Sequence, residues 1–489
     1  MYLRPGVIPT LNGAPFVEKP PLYYWATALS FRIAGGPDAA AARAVSGLAA
    51  LLTLALAFVW VARAVSRDAA VVSTVILATS VGFVTSAHWI RIDALLLLFL
   101  TLAIWAAWER IGNAGGPWFL VTFYAGVVLA LWTKGLVGPV LVVAGLTVYA
   151  AVERSVRVLA PLRPIWGALA LVSAVASLAV AIAATGGREA LSTWFFVNHV
   201  ERFVHPVATG HQAPLAYYTW MLPAAIAPWL VPFVALFNPR APVWSRDRPD
   251  SGVIRFAAAM TAGPLVILTL SSSKRGVYLL PLLPALSLLL ATAVGDRIAV
   301  DRRPSGLGRR TVAADWIHAA ILGLTGLAPA VLHVVVTRRV SPEALAFGCA
   351  GLVAAVALAT AVARRKARRA FWIGAFSMGV AIAGLFALVV PRLDDVKNFQ
   401  PFLAGIDAVL PRGEPVRALG ADETLLGIVP FVTGRRVIPI AVGDLAEGTF
   451  VLVQSGADEA APRQLETSYE PIASRNFGPG RRMALWRRR

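Results

Sequence analysis

Twelve apolar stretches of membrane-spanning length occupy this chain up to about residue 390, and they restrict it to an α-helical membrane protein. A spanning helix needs roughly 20 predominantly apolar residues. Open sheet edges and irregular backbone cannot face lipid, because their polar groups would go unpaired. The stretches run near 43–64, 69–88, 93–110, 117–133, 135–152, 165–184, 215–237, 253–271, 277–295, 314–336, 344–363 and 370–390. A mean hydropathy of +0.69 with 58% hydrophobic residues agrees, since soluble domains are far less apolar.

Basic residues alternate from loop to loop. Arg63 and Arg67; Arg154, Arg157 and Arg163; Arg240, Arg246 and Arg248; Arg297, Arg302, Arg303, Arg309 and Arg310; and Arg364, Arg365, Lys366, Arg368 and Arg369 mark every other connection. Basic loops stay cytoplasmic. The N-terminal segment, a loop at 185–214 and the last hundred residues are therefore expected on the extracytoplasmic side. The net charge of +19 is spread over short loops rather than one soluble face, so topology and lipid headgroups account for it better than nucleic acid does. A lone cysteine, Cys349, lies within a span and excludes an internal disulfide. Met1 is followed by Tyr-Leu-Arg-Pro-Gly, without the cationic-then-apolar order of a signal peptide or first anchor. A span upstream of an internal Met is the expectation.

Only five of the 45 cationic residues are lysines, and three, Lys19, Lys134 and Lys274, fall at the extracytoplasmic ends of apolar stretches. Each could snorkel to headgroups; three together beside other polar groups point to a shared anionic ligand. Lys19 follows Glu18 and precedes Pro20-Pro21, a helix start leading into an interfacial stretch at 22–33. Asp93 enters a leucine run next to Arg91, where it could cap the helix or take Arg91 as counter-ion. Lys134 sits in a turn between two spans. Lys274, Arg275 and Tyr278 combine two cations and a phenol able to clamp a phosphate, or only to anchor the span's end. The segment Trp194–His205 carries His199 and His205, with His211 close after; with Glu18 or Glu201 it offers zinc-type ligands, although its spacing fits no closed structural site.

These segments together resemble the integral-membrane glycosyltransferases of the GT-C superfamily, in the branch that holds the aminoarabinose transferase of lipid A and bacterial relatives of the protein O-mannosyltransferases. The matching stretches are Asn12–Trp25, Arg91–Asp93, Leu131–Pro139, Trp194–Phe203 and Ser271–Pro281. The resemblance implies a polyprenyl-phosphate-linked sugar donor, transfer to a lipid, glycan or protein acceptor outside a bacterial plasma membrane, and inversion at the anomeric carbon. It implies donor-phosphate contacts from Lys19, Arg202 and Tyr278, with Lys274 and Arg275 beside them. By the same resemblance Asp93 would be the family's second acidic residue near the reaction centre. Glu18 and His199 are similar to a pair that in the family can hold a divalent metal such as zinc. The family's main catalytic Asp would lie upstream of Met1.

The expected architecture is an all-α polytopic bundle with a small C-terminal α/β domain. Its parts are a first-loop remnant and interfacial helix at 1–42, a membrane domain at 43–390 and a soluble extracytoplasmic domain at 391–489. In the tail, 416–419, 436–440, 450–454 and 482–486 read as strands and 423–432 and 459–467 as helices. A transporter or flippase, or a non-catalytic lipid-sugar-binding protein, is the rival. Polar clusters gathered at one side rather than at midplane argue against the transporter.

Overall fold

The structure is a computed structural model describing residues 6–113, 115–201, 213–300, 309–447, 449–456, 463–478 and 480–489. It divides into two compact units, Met1–Pro9 with Val17–Gly384, and Thr10–Phe16 with Leu385–Arg489.

The first unit is helical. Its elements are α1 (Leu22–Ala34), α2 (Ala39–Ala64), α3 (Arg67–Thr79), α4 (Val81–His88), α5 (Ile92–Ile111), α6 (Pro117–Lys134), α7 (Val137–Val152) and α8 (Pro164–Ser192), then α9 (Tyr217–Ile226), α10 (Leu230–Ala235), α11 (Ser251–Leu270), α12 (Leu283–Val300), α13 (Arg309–Thr337), α14 (Pro342–Ala363) and α15 (Ala367–Gly384). Among the described residues nine helices are long and apolar enough to span a bilayer. The α3–α4 pair, bent by 64°, makes a tenth. The remaining two of the twelve stretches appear as the 16-residue α7 and the interrupted α9–α10.

The two interruptions support each other. At Ser80 the backbone turns extended, and the freed amide of Val81 donates to the carbonyl of Ala227, in the break between α9 and α10, at 3.1 Å. The Trp229 indole donates to Thr79 Oγ1 at 2.9 Å. Backbone groups released by a broken helix in lipid must find such partners. Elsewhere small residues set the packing. A Cβ on Gly263 of α11 would lie 2.4 Å from the Ala144 carbonyl oxygen of α7, so only glycine permits that approach. The segment from 185, read as a loop in the sequence, is helical through Ser192 and continues as a wider π-type helix to Glu201; Gly187, at φ 68°, kinks it without ending it. Trp194, which is buried against Leu178 and Ile182 with Ala190 and Leu191 beside them, holds it on the bundle.

The second unit holds a five-stranded sheet in the order β4-β3-β5-β7-β6. Its strands are β3 (Val416–Leu419), β4 (Val437–Ile440), β5 (Phe450–Ser455), β6 (Tyr469–Asn476) and β7 (Arg482–Arg488), beside α16 (Val390–Lys397), α17 (Gln400–Val409), α18 (Glu423–Thr433) and α19 (Arg463–Ser468). The hairpin β1 (Thr10–Leu11) and β2 (Ala14–Pro15) belongs to this unit. Asn12, at φ 51° in the hairpin turn, uses its amide as a strand would. It donates to Val437 O at 2.6 Å and accepts from Val437 N at 2.9 Å along the β4 edge. An otherwise open edge is thereby occupied. The Asn12-Gly13 pair thus serves the sheet.

Candidate functional site

The ends of α4, α6 and α11, with the starts of α5, α9 and the 3₁₀ turn Gly276–Leu282, bring several of the predicted residues together. The loop between α4 and α5 is fixed from α2. Ser46 Oγ, buried in α2, donates to Arg91 O at 3.2 Å and accepts from Arg91 N at 3.3 Å, and the Tyr23 hydroxyl of α1 lies 3.4 Å from the same oxygen. This hydroxyl is invisible to motif reading, because nothing distinguishes a serine in an alanine-rich span.

The sequence allows Arg91 as counter-ion to Asp93. The structure gives that place to Lys134. The Lys134 ammonium contacts Asp93 Oδ1 directly, the two side chains being 11% and 12% exposed. Lys134 also stands 4.5 Å over the ring of Tyr278. Asp93 does not cap α5 either: the cap position is Arg91, and no side chain bonds the free amides there. Asp93, Lys134 and Tyr278 therefore form one contiguous cluster joining three elements.

Arg91 instead lies over the Trp89 ring at 4.2 Å and lines a cavity of 420 Å³ with Lys274, Arg275, Tyr217 and Gly276. Burial, ahead of the neighbouring charges, holds its guanidinium below the usual arginine range, and Arg275 pushes the same way. Lys274 is buried, 4% exposed, and donates to the backbone oxygens of Ser271 and Ala213. It has no carboxylate partner among the described residues. A buried charge without a counter-ion is costly, and two further cations face the same space. Tyr218 donates to Arg275 O at 3.3 Å and steadies the turn. The adjacent phenols Tyr217 and Tyr218, at the start of an apolar stretch, are the sequence signal for this part of the site.

Lys19 and Glu18 lie together before α1, Nζ to Oε2 at 3.8 Å, and Trp25 of α1 packs on Trp132 near Lys134 with ring centres 5.5 Å apart. Lys19 and Tyr278 are not among the residues lining the cavity. Arg202, His205 and His211, and the side chain of His199, lie outside the described residues. No group of three His, Cys, Asp or Glu side chains able to hold a metal occurs among the described residues. Glu18, half of the expected metal pair, already faces the Lys19 cation.

Residues 18–182 match the profile of the dolichyl-phosphate-mannose-protein mannosyltransferase family. The undecaprenyl phosphate-α-4-amino-4-deoxy-L-arabinose arabinosyl transferase of Erwinia tasmaniensis is 26% identical over 446 residues, covering 86% of this chain and 75% of the relative. The enzyme of the same name from Aeromonas salmonicida is 29% identical over 359 residues, covering 70% and 60%. The crystal structure of ArnT from Cupriavidus metallidurans bound to undecaprenyl phosphate superposes with a TM-score of 0.73 at 19% identity, covering 98% of this chain and 90% of that one. The fold is that of the ArnT structure, a bundle of apolar helices long enough to span a bilayer. In sequence the chain is similar to aminoarabinose transferases over most of its length and to the protein-mannosyltransferase family over residues 18–182.

Proposed function

We propose that this protein transfers a sugar from a polyprenyl-phosphate carrier to an acceptor at the extracytoplasmic face of a bacterial plasma membrane. The observation that carries the reading is the cavity where Arg91, Lys274 and Arg275 converge with no ion-paired carboxylate among the described residues. A phosphodiester linking carrier to sugar supplies the missing negative charge. When the sugar departs, charge grows on the phosphate, and fixed cations stabilise it most at that moment. Lys274, Arg275 and the structure-derived Arg91 are assigned to the donor phosphate, together with Lys19, Arg202 and Tyr278 from the resemblance. Asp93, oriented by Lys134, faces the reacting sugar; a carboxylate there takes an acceptor proton or stabilises positive charge on the sugar ring. The relatives' names point to 4-amino-4-deoxy-L-arabinose on undecaprenyl phosphate as donor, and the branch points to lipid A as acceptor.

The test is a panel of radiolabelled polyprenyl-phosphate sugars presented to the protein in proteoliposomes with lipid A, a peptide or a glycan. Label transferred from the aminoarabinose donor to lipid A is the expected result. Absence of transfer from every polyprenyl-phosphate sugar to every acceptor would overturn the reading.

A further inference from the structure

Away from that site, the structure assigns a binding site for cardiolipin, a two-phosphate phospholipid, at the Arg-rich membrane edge where α3, α12 and α15 meet. The turn joining α14 to α15 reads Arg364-Arg365-Lys366-Ala367-Arg368-Arg369, five cations in six residues with no carboxylate. All five are exposed. None forms an ion pair among the described residues. Backbone bonds close the turn by themselves, Arg364 N to Thr360 O at 3.0 Å and Lys366 N to Ala361 O at 2.9 Å, so the cations are not needed to build it.

Next to this turn lies a cavity of 340 Å³ lined by Arg368 and Trp372 of α15, Val71 and Val72 of α3, and Ile298 of α12. Arg368, of the five cations, lines it beside aliphatic side chains of α3 and α12, a pairing that suits a phospholipid's phosphate and acyl chain. Trp372, 42% exposed, sits where an indole prefers the headgroup level. The cavity's own carboxylates do not cancel the turn. Asp296 is held by Arg248, itself a lining residue, at 2.6 Å, which leaves Asp68 and Arg368 in the lining, with the other four cations of the turn next to Arg368 in the chain. Basic pockets between spanning helices on the cytoplasmic side take lipids of this kind. Five cations on two successive turns exceed what one phosphodiester neutralises, which favours two phosphates over one. The position also matters for assembly: α13, α14 and α15 pack chiefly on one another and meet the rest through α3, α10 and α12. A lipid wedged there joins two sub-bundles. None of this depends on the proposed transferase activity.

The test is native mass spectrometry of the delipidated full chain titrated with cardiolipin, phosphatidylglycerol or phosphatidylcholine. One cardiolipin per chain is expected. Arg368→Gln/Trp372→Ala should weaken its retention roughly fivefold or more, each interfacial cation contributing to the attraction. Arg157→Gln, an exposed arginine of another Arg-rich loop, should leave it unchanged. If the Trp372 variant unfolds, Arg364→Gln/Arg369→Gln, which alters only exposed side chains, carries the same expectation. Unchanged retention in the folded variants, or phosphatidylglycerol held as tightly as cardiolipin, would overturn the proposal.

Discussion

Asp93→Asn removes the only carboxylate that contacts Lys134 among the described residues. Both side chains are nearly dry, at 12% and 11% exposure, so the stranded ammonium cannot recover its hydration shell. Losing one member of a buried pair costs about 3–5 kcal/mol. The Tyr278 ring, 4.5 Å away, still faces the cation and retains part of the attraction, which puts the expected loss near the lower bound, about 3 kcal/mol. Lys134→Met strands the carboxylate instead and should cost a similar amount. The double variant Asp93→Asn/Lys134→Met leaves neither charge behind, and an apolar replacement of a whole pair is often nearly neutral. It should therefore be more stable than the sum of the singles by at least about 2 kcal/mol. Reversible unfolding in mixed SDS–detergent micelles measures all four corners of this cycle. Additivity within about 0.5 kcal/mol would mean that the two side chains do not interact, and the site geometry would fail with them.

Three further expectations do not depend on the proposed chemistry of the site. Glu109, 0% exposed, accepts from Arg63, Trp105 and Asn113, so Glu109→Ala should cost about 2–3 kcal/mol by leaving those donors unpaired; unfolding free energy at wild-type level would contradict it. Gly263→Ala should destabilise by about 1–3 kcal/mol, because the obstructing atoms belong to the α7 backbone, whereas Gly379→Ala, with no heavy atom within 4 Å of the new methyl, should be neutral within about 0.5 kcal/mol. In a Cys349→Ser background, cysteines at positions 275 and 365 should react with impermeant maleimide from opposite sides of sealed vesicles. Labelling of both from one side would overturn the charge-based topology.

Much of the fold is legible because a bilayer makes so few backbones possible. Apolar length alone marks the stretches that become α2, α5, α11 and α14. It cannot reveal that two of the twelve are broken, since the bonds that compensate, such as Val81 N to Ala227 O, join residues 146 positions apart. In the sheet, β3, β5 and β7 follow apolar runs. The edge strand β6 does not: Tyr-Glu-Pro-Ile-Ala-Ser-Arg-Asn is mostly polar and holds a proline, tolerated because the register shifts between Pro471 and Ala473 at the sheet edge. At the candidate site, the unusual lysines were readable one at a time. Which carboxylate each would meet was not, because Asp93 and Lys134 are brought together only by the antiparallel packing of α5 and α6.

Binding of undecaprenyl phosphate to the purified chain, compared with binding of undecaprenol, addresses the cationic cavity most directly. The phosphate should be strongly preferred. Lys274→Met and Arg275→Gln should each weaken it about tenfold or more, as expected for the loss of a charge-assisted bond. Equal affinity for alcohol and phosphate, or full affinity in both variants, would show that these cations serve some other purpose.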